Sequence, residues 1–130
     1  MIFIDTSAFY ALIDISDKHH DDAARAWITI RDQPDQLACS NYILLETIAL
    51  LQNHLGMAAV QDFIRLTNRM AVFWIGIEQH NLAISALLTS GRQGLSLVDC
   101  TSFDTMRSRS IHTAFTFDLH FAEQGFTCLP

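Results

Sequence analysis

Basic residues are scarce in this chain: Lys18 is its only lysine, and lysine and arginine together number 8 against 14 acids, for a net charge of −6. Phosphate binding normally leaves a basic footprint, so this balance argues against a nucleic-acid partner held by charge alone. Charged residues make up only 17% and apolar residues 50%, which excludes a disordered chain. Cysteine is limited to Cys39, Cys100 and Cys128, an odd number, widely spaced and set among apolar neighbours. That pattern fits reduced, mostly buried thiols and excludes a disulfide framework or a zinc-ligand spacing. No window approaches the roughly 18 uninterrupted apolar residues of a membrane span, because Glu46, Gln52 and similar residues cut every candidate. The N-terminus has no basic flank and Asp5 interrupts its apolar run, so it does not read as a signal peptide. The expectation is one soluble, cytoplasmic domain over residues 1–130 with no membrane partner.

What is present begins at Met1-Ile2-Phe3-Ile4-Asp5-Thr6-Ser7, where an apolar run ends on a carboxylate followed by two hydroxyls. Such a run suits a strand buried on both faces in a parallel sheet. A helix starting near Ala8 then places Asp5 at a strand's carboxyl end, where open parallel sheets bind ligands. Capping of that helix by Asp5, Thr6 or Ser7 is an equally natural use of the same residues.

Further along, Lys18 to Arg31 is predicted helical with Ala23, Ala24, Trp27 and Ile28 inward. His19 and His20, being adjacent on a helix, point apart and make a poor metal pair. The pair Asp21–Asp22 suits a helix N-terminus. Gln36–Ser40 reads as a strand, and Asn41 as the N-cap of a helix from Tyr42 to His54 that carries one charge, Glu46. Helix Met57–Arg69, strand Ala71–Ile75 and helix Glu78–Ser90 follow. Ser96 and Asp99 stand at capping-box spacing at the start of the next helix. A strand Ile111–Phe117 ends at Asp118, repeating the arrangement at Asp5, and a short helix and an edge strand Phe126–Leu129 close the chain. This order of elements predicts an α/β fold with a mostly parallel central sheet.

In that topology Asp5, Asp99 and Asp118 share one sheet edge, and Glu46, in an early turn of its helix, can reach it. Four carboxylates without matching bases would repel. One or two hard cations, Mg²⁺ or Mn²⁺, are the natural remedy. Ions of this kind can activate a water and stabilise a leaving oxygen in phosphodiester cleavage. Committing four carboxylates to cations would also reduce the net −6 to −2, so charge does not exclude an RNA partner after all.

The matching pieces Ile4-Asp5-Thr6-Ser7, the apolar helix around Glu46, Leu97-Val98-Asp99-Cys100-Thr101-Ser102-Phe103 and Phe115-Thr116-Phe117-Asp118-Leu119-His120-Phe121, closing with Gly125-Phe126, span nearly the whole chain. Together they resemble a PIN-domain nuclease, and within that family the toxin of VapBC-type toxin–antitoxin pairs. The resemblance implies a PIN-like three-layer α/β/α sandwich and an acidic pocket built from Asp5, Glu46, Asp99 and Asp118. It also implies Mg²⁺- or Mn²⁺-dependent cleavage of RNA, homodimerisation, and neutralisation by an antitoxin, whose basic segment would complement the acidic surface. Thr6 or Ser7, and Thr101 or Ser102, would orient the carboxylates or a bound water, unless they serve as caps.

Arg107 and Arg109, then Arg92, are the candidate phosphate contacts. Asp104, five residues beyond Asp99, falls off its helical face and is left out. Other phosphate enzymes fit less well. A haloacid-dehalogenase-type phosphatase needs a second Asp where Ser7 stands, and a receiver domain needs a late lysine that is absent. The alternative function is a non-catalytic PIN-like module that binds RNA or protein.

Overall fold

The computed structural model describes all of residues 1–130. Five strands, β1 (Ile2–Ile4), β2 (Leu37–Ser40), β3 (Ala71–Phe73), β4 (Thr113–Phe115) and β5 (Thr127–Leu129), form one sheet in the order β3-β2-β1-β4-β5. Every pairing is parallel, with Ile2 opposite Leu37 on one side and Thr113 on the other. The sheet is thus wholly parallel, including the C-terminal edge strand. Parallel strands need crossover connections, supplied here by α1 (Thr6–Ile13), α2 (His20–Ile30), α3 (Asn41–His54), α4 (Met57–Thr67), α5 (Ile77–Ser90), α6 (Leu97–Ser108) and α7 (Leu119–Glu123).

Right-handed crossovers sort these helices by direction of travel across the sheet. Connections from β1 through β2 to β3 move one way, and those from β3 to β4 and β4 to β5 move the other. The rule therefore places α1–α4 on one face and α5–α7 on the opposite face, the expected three layers. Between them lies a continuous core with Phe3, Phe9, Phe63, Phe115 and Phe121 fully buried. Phe9 meets Phe63 edge to face at 4.9 Å, and Phe103 meets Phe121 at 5.0 Å, one such pair in each helical layer. The chain's direction of progress across the sheet reverses between β1 and β4, so the crevice at their carboxyl ends is the sheet's topological switch point.

Four local expectations shift. Ser40, not Asn41, caps α3, its Oγ accepting from Ile43 N–H at 3.2 Å. Asn41 Oδ1 accepts instead from the Ile75 backbone N–H at 2.7 Å, and this side-chain bond draws residues beyond Phe73 out of β3. Strand β4 stops at Phe115, two residues early, and Ile28 faces solvent at 59% exposure while Ile30 is buried. The cysteines are free, as expected; burial pushes the Cys39 thiol up to about 12. No helix is long and apolar enough to cross a membrane.

Candidate active site

Each of the three aspartates is fixed by the helix start it occupies. Asp5 is the N-cap of α1: its Oδ2 accepts from the Ser7 N–H at 3.2 Å and from the Ser7 hydroxyl at 2.6 Å. Asp118 caps α7, with Oδ1 accepting from His120 N–H at 2.9 Å. Asp99 stands in a reciprocal capping box: Ser96 N–H donates to its Oδ2 at 2.9 Å while Asp99 N–H donates to Ser96 Oγ at 3.0 Å. Glu46, in the second turn of α3, accepts the Thr6 hydroxyl on Oε2 at 2.8 Å, and Thr47 donates in turn to Thr6 at 3.2 Å. Capping and clustering are therefore two uses of the same side chains, one per oxygen.

The second oxygens make the site. Asp5 Oδ1, Glu46 Oε1, Asp99 Oδ1 and Asp118 Oδ2 accept no hydrogen bond, although every partner oxygen is engaged. None of the four acids forms an ion pair with lysine or arginine. Asp99, Asp118 and His120 can bring one ligand atom each within 4.8 Å of one another. The carboxyls feel each other: Asp99 raises Asp5, Asp118 raises Asp99, and both raise Glu46. For all three raised acids burial is the larger cause, and Asp5, only 5% exposed, is pushed up to about 6. Hydrogen bonds from Ser7 and Thr116 pull Asp5 back only in part.

A partly buried group of mutually repelling carboxylates, each with one oxygen tied and one free, has the chemistry that suits a hard divalent cation. When bound, such a cation supplies charge neutralisation and a more acidic water. His120 adds a nitrogen at its edge; Nδ1 lies 3.0 Å from Asp118 Oδ1 but without hydrogen-bond alignment and with no other partner.

Of the hydroxyls expected around the acids, Thr6 and Ser7 touch them and Thr101 and Ser102 do not. Thr101 Oγ1 donates to the Val98 carbonyl at 2.7 Å, and the fully buried Ser102 hydroxyl has no partner. Both sit on the inward faces of α6, where packing sets their direction. The arginines are likewise elsewhere. Arg107 and Arg109 lie eight and ten residues beyond Asp99, roughly 12 and 15 Å along α6, toward the end that leads into the start of β4. There Arg107 donates to Gln124 Oε1 at 2.6 Å and covers the Phe126 ring, while Arg109 lies 3.9 Å over the Phe73 ring. Arg92 is paired with Glu123 at 3.0 Å. Asp104 lines a groove between α5 and α6, away from the cluster.

Two contributors had no sequence signal of their own. Thr116 donates to Asp5 Oδ2 at 3.2 Å across 111 positions and accepts Asp118 N–H at 3.0 Å, joining two acids through one hydroxyl. Its position just past β4 could have suggested it, since Ser7 follows β1 in the same way. His120 could have been found from its place two residues after a strand-end aspartate.

With this fold and this acid cluster, the chain belongs to the PIN-domain family, whose model matches residues 2–126. It is 34% identical over 128 residues to the 23S rRNA-specific endonuclease VapC20 of Mycobacterium tuberculosis, covering 97% of this chain and 95% of that one. The crystal structure of that protein, described as a sarcin–ricin loop cleaving toxin, superimposes with a TM-score of 0.85 at 33% identity, over 98% of this chain and 97% of the other. PAE2754 of Pyrobaculum aerophilum shares the fold at a TM-score of 0.65 and 20% identity, over 98% and 87%.

Proposed function

We propose that this chain is a divalent-metal-dependent endoribonuclease, a single PIN domain acting as the toxin of a type II toxin–antitoxin pair. The observation that carries this reading is the approach of Asp99, Asp118 and His120, whose ligand atoms lie within 4.8 Å of one another, with Asp5 and Glu46 coupled to them by charge, each of the four acids keeping one oxygen free of hydrogen bonds and none paired with lysine or arginine. Mg²⁺ or Mn²⁺ is the cofactor the oxygen set suits. Asp5, Asp99, Asp118 and Glu46 would hold it, while Ser7, Thr116, Thr6 and Ser96 keep the carboxylates aimed. An ionised carboxylate here can also take the proton of an attacking water.

RNA is the substrate class, supported by the family and by VapC20, whose sarcin–ricin loop substrate is the first RNA to try. An antitoxin partner follows from the same relatives. Pairing with a second copy is supported by exposed apolar side chains on and before α5: Trp74 at 74%, Ile77 at 83% and Leu88 at 76%.

The test is cleavage of 23S rRNA fragments by partner-free protein with Mg²⁺, Mn²⁺ or chelator, beside Asp5→Asn and Asp99→Asn. Metal-dependent cleavage that falls at least 100-fold in both variants is expected. Equal cleavage by both variants would place the activity elsewhere, and no cleavage of any RNA would favour a non-catalytic module that binds RNA or protein.

A further inference from the structure

Beside Asp118 the surface opens into a cavity of about 530 Å³ where the start of α2 faces the β4–α7 connection. Its walls include His19, Asp22, Phe117, Asp118, Leu119 and Cys128. His19 and Phe117 lie face to face, with ring centroids 4.4 Å apart and planes 10° apart. Phe117 is backed by the buried ring of Phe115 at 6.3 Å. His19 is anchored through its backbone N–H, donated to Asp17 Oδ1 at 2.8 Å, and its imidazole has no hydrogen-bond partner in the protein. Leu119, 78% exposed, adds an apolar wall.

No lysine or arginine lines the cavity; its charged walls are Asp22 and Asp118. A phosphate would be repelled there. A flat, uncharged ring carrying N–H donors meets every wall favourably: an aromatic platform, an apolar side and a carboxylate acceptor. The volume lies within the roughly 300–1,000 Å³ of small-ligand sites. Single-stranded RNA is recognised in this way, by stacking unpaired bases on aromatic side chains and hydrogen-bonding their edges.

We propose that this cavity receives a nucleobase of the RNA, stacked on His19 and donating an exocyclic N–H to the free oxygen of Asp22, with the neighbouring phosphate over the acidic cluster. The inference rests on the nuclease reading and assigns it a base-binding subsite. Asp22 Oδ1 already accepts from Arg25, which leaves Oδ2 without a protein partner.

Two measurements test it, both with Mg²⁺ present to balance the acidic cluster, and the first with a non-cleavable RNA so that nothing is cut. Single-stranded RNA 10-mers carrying one 2-aminopurine are titrated with the full chain and with His19→Ala and His19→Phe. Quenching by wild type and His19→Phe is expected, with roughly ten-fold weaker binding and lost quenching in His19→Ala. Unchanged binding and quenching by His19→Ala would overturn the proposal. In wild-type protein alone, adenosine and guanosine monophosphates should shift the His19 ring protons by NMR, whereas ribose 5-phosphate should not. Equal shifts from ribose 5-phosphate, or none from any nucleotide, would overturn it too and leave the cavity to a protein side chain. Cleavage with Mn²⁺ is scored separately, so failure to cut counts against the nuclease reading and failure to stack against the subsite.

Discussion

Asp5 concentrates the conflict on which the site is built: it caps a helix, which favours its charge, and it is buried beside other acids, which opposes it. Its carboxyl lies at about 6 in the fold against an ordinary 3.8. A folded value above the unfolded one means the stability it contributes is complete below pH 3.8 and is lost as pH rises through 6, on the order of 3 kcal/mol in all. Glu46 and Asp99 are raised and act with the same sign. Asparagine keeps the cap and removes the charge, so metal-free Asp5→Asn should melt at or above wild type, with the gap widening from pH 5 to pH 7.5. Thermal melts in chelator check this, and a gap that narrows over the same range would show that the charge stabilises the metal-free fold. Ser102 carries the opposite expectation. Because its buried hydroxyl is unpartnered, Ser102→Ala should leave both melting temperature and RNA cleavage within experimental scatter of wild type. A cleavage loss of ten-fold or more would restore the site role first assigned to it. The three aspartates were legible from the sequence because each ends an apolar run or opens a helix, and Glu46 because it is the one charge on its helix. Thr116 was not, since nothing local distinguishes a hydroxyl whose partner Asp5 lies 111 positions away, and His120 had only its place two residues after Asp118 to suggest it.

The elements show why these acids share one place. Parallel strands put the ends of β1 and β4 and the start of α6 at one edge, so helix N-termini converge there and their dipoles favour negative charge. Ser96 joins that scaffold to the chemistry through two atoms: its hydroxyl caps α6 by accepting Asp99 N–H, and its backbone N–H holds the Asp99 carboxylate. Ser96→Ala removes only the first bond, so it should cost about 1 kcal/mol in denaturant unfolding and leave Mn²⁺ affinity within about two-fold of wild type. A Mn²⁺ affinity lowered ten-fold would show that the hydroxyl, not the backbone N–H, aims the carboxylate. At this scale the sequence reading was most accurate where period and punctuation agreed, as in α3, α4 and α5. It failed by a residue or two where tertiary bonds decide the boundary: Asn41 was read as a cap because Ser-Asn offers two good candidates, and only the distant Ile75 N–H claims the second. On α3 the solvent side carries Leu45, 70% exposed, while Glu46 turns inward to Thr6, an inversion that hydrophobic pattern alone cannot reveal.

Taken whole, the molecule carries a net −6 yet is assigned an anionic substrate, and a bound cation resolves that tension. The arginines do not: Arg107, Arg109 and Arg92 are committed to Gln124, Phe73 and Glu123. Wild-type protein should therefore bind RNA more tightly with Mn²⁺ than in EDTA, while Arg109→Ala changes affinity less than two-fold. Filter-binding assays with a non-cleavable RNA check both statements, and a ten-fold loss in Arg109→Ala would give that arginine a phosphate role. The paired helical layers and the parallel sheet were readable from the order of elements, and the common edge followed from topology. The distribution of arginines was not, because a long side chain chooses its partner only in the folded chain. The most direct measurement is calorimetric titration of Mn²⁺ into metal-free wild type and Asp99→Asn at pH 7.5. Saturable binding by wild type, weakened at least ten-fold by that one substitution in a protein that remains folded, is the expected result. Equal affinity in the two proteins, or no binding to wild type, would contradict a cation held jointly by these acids.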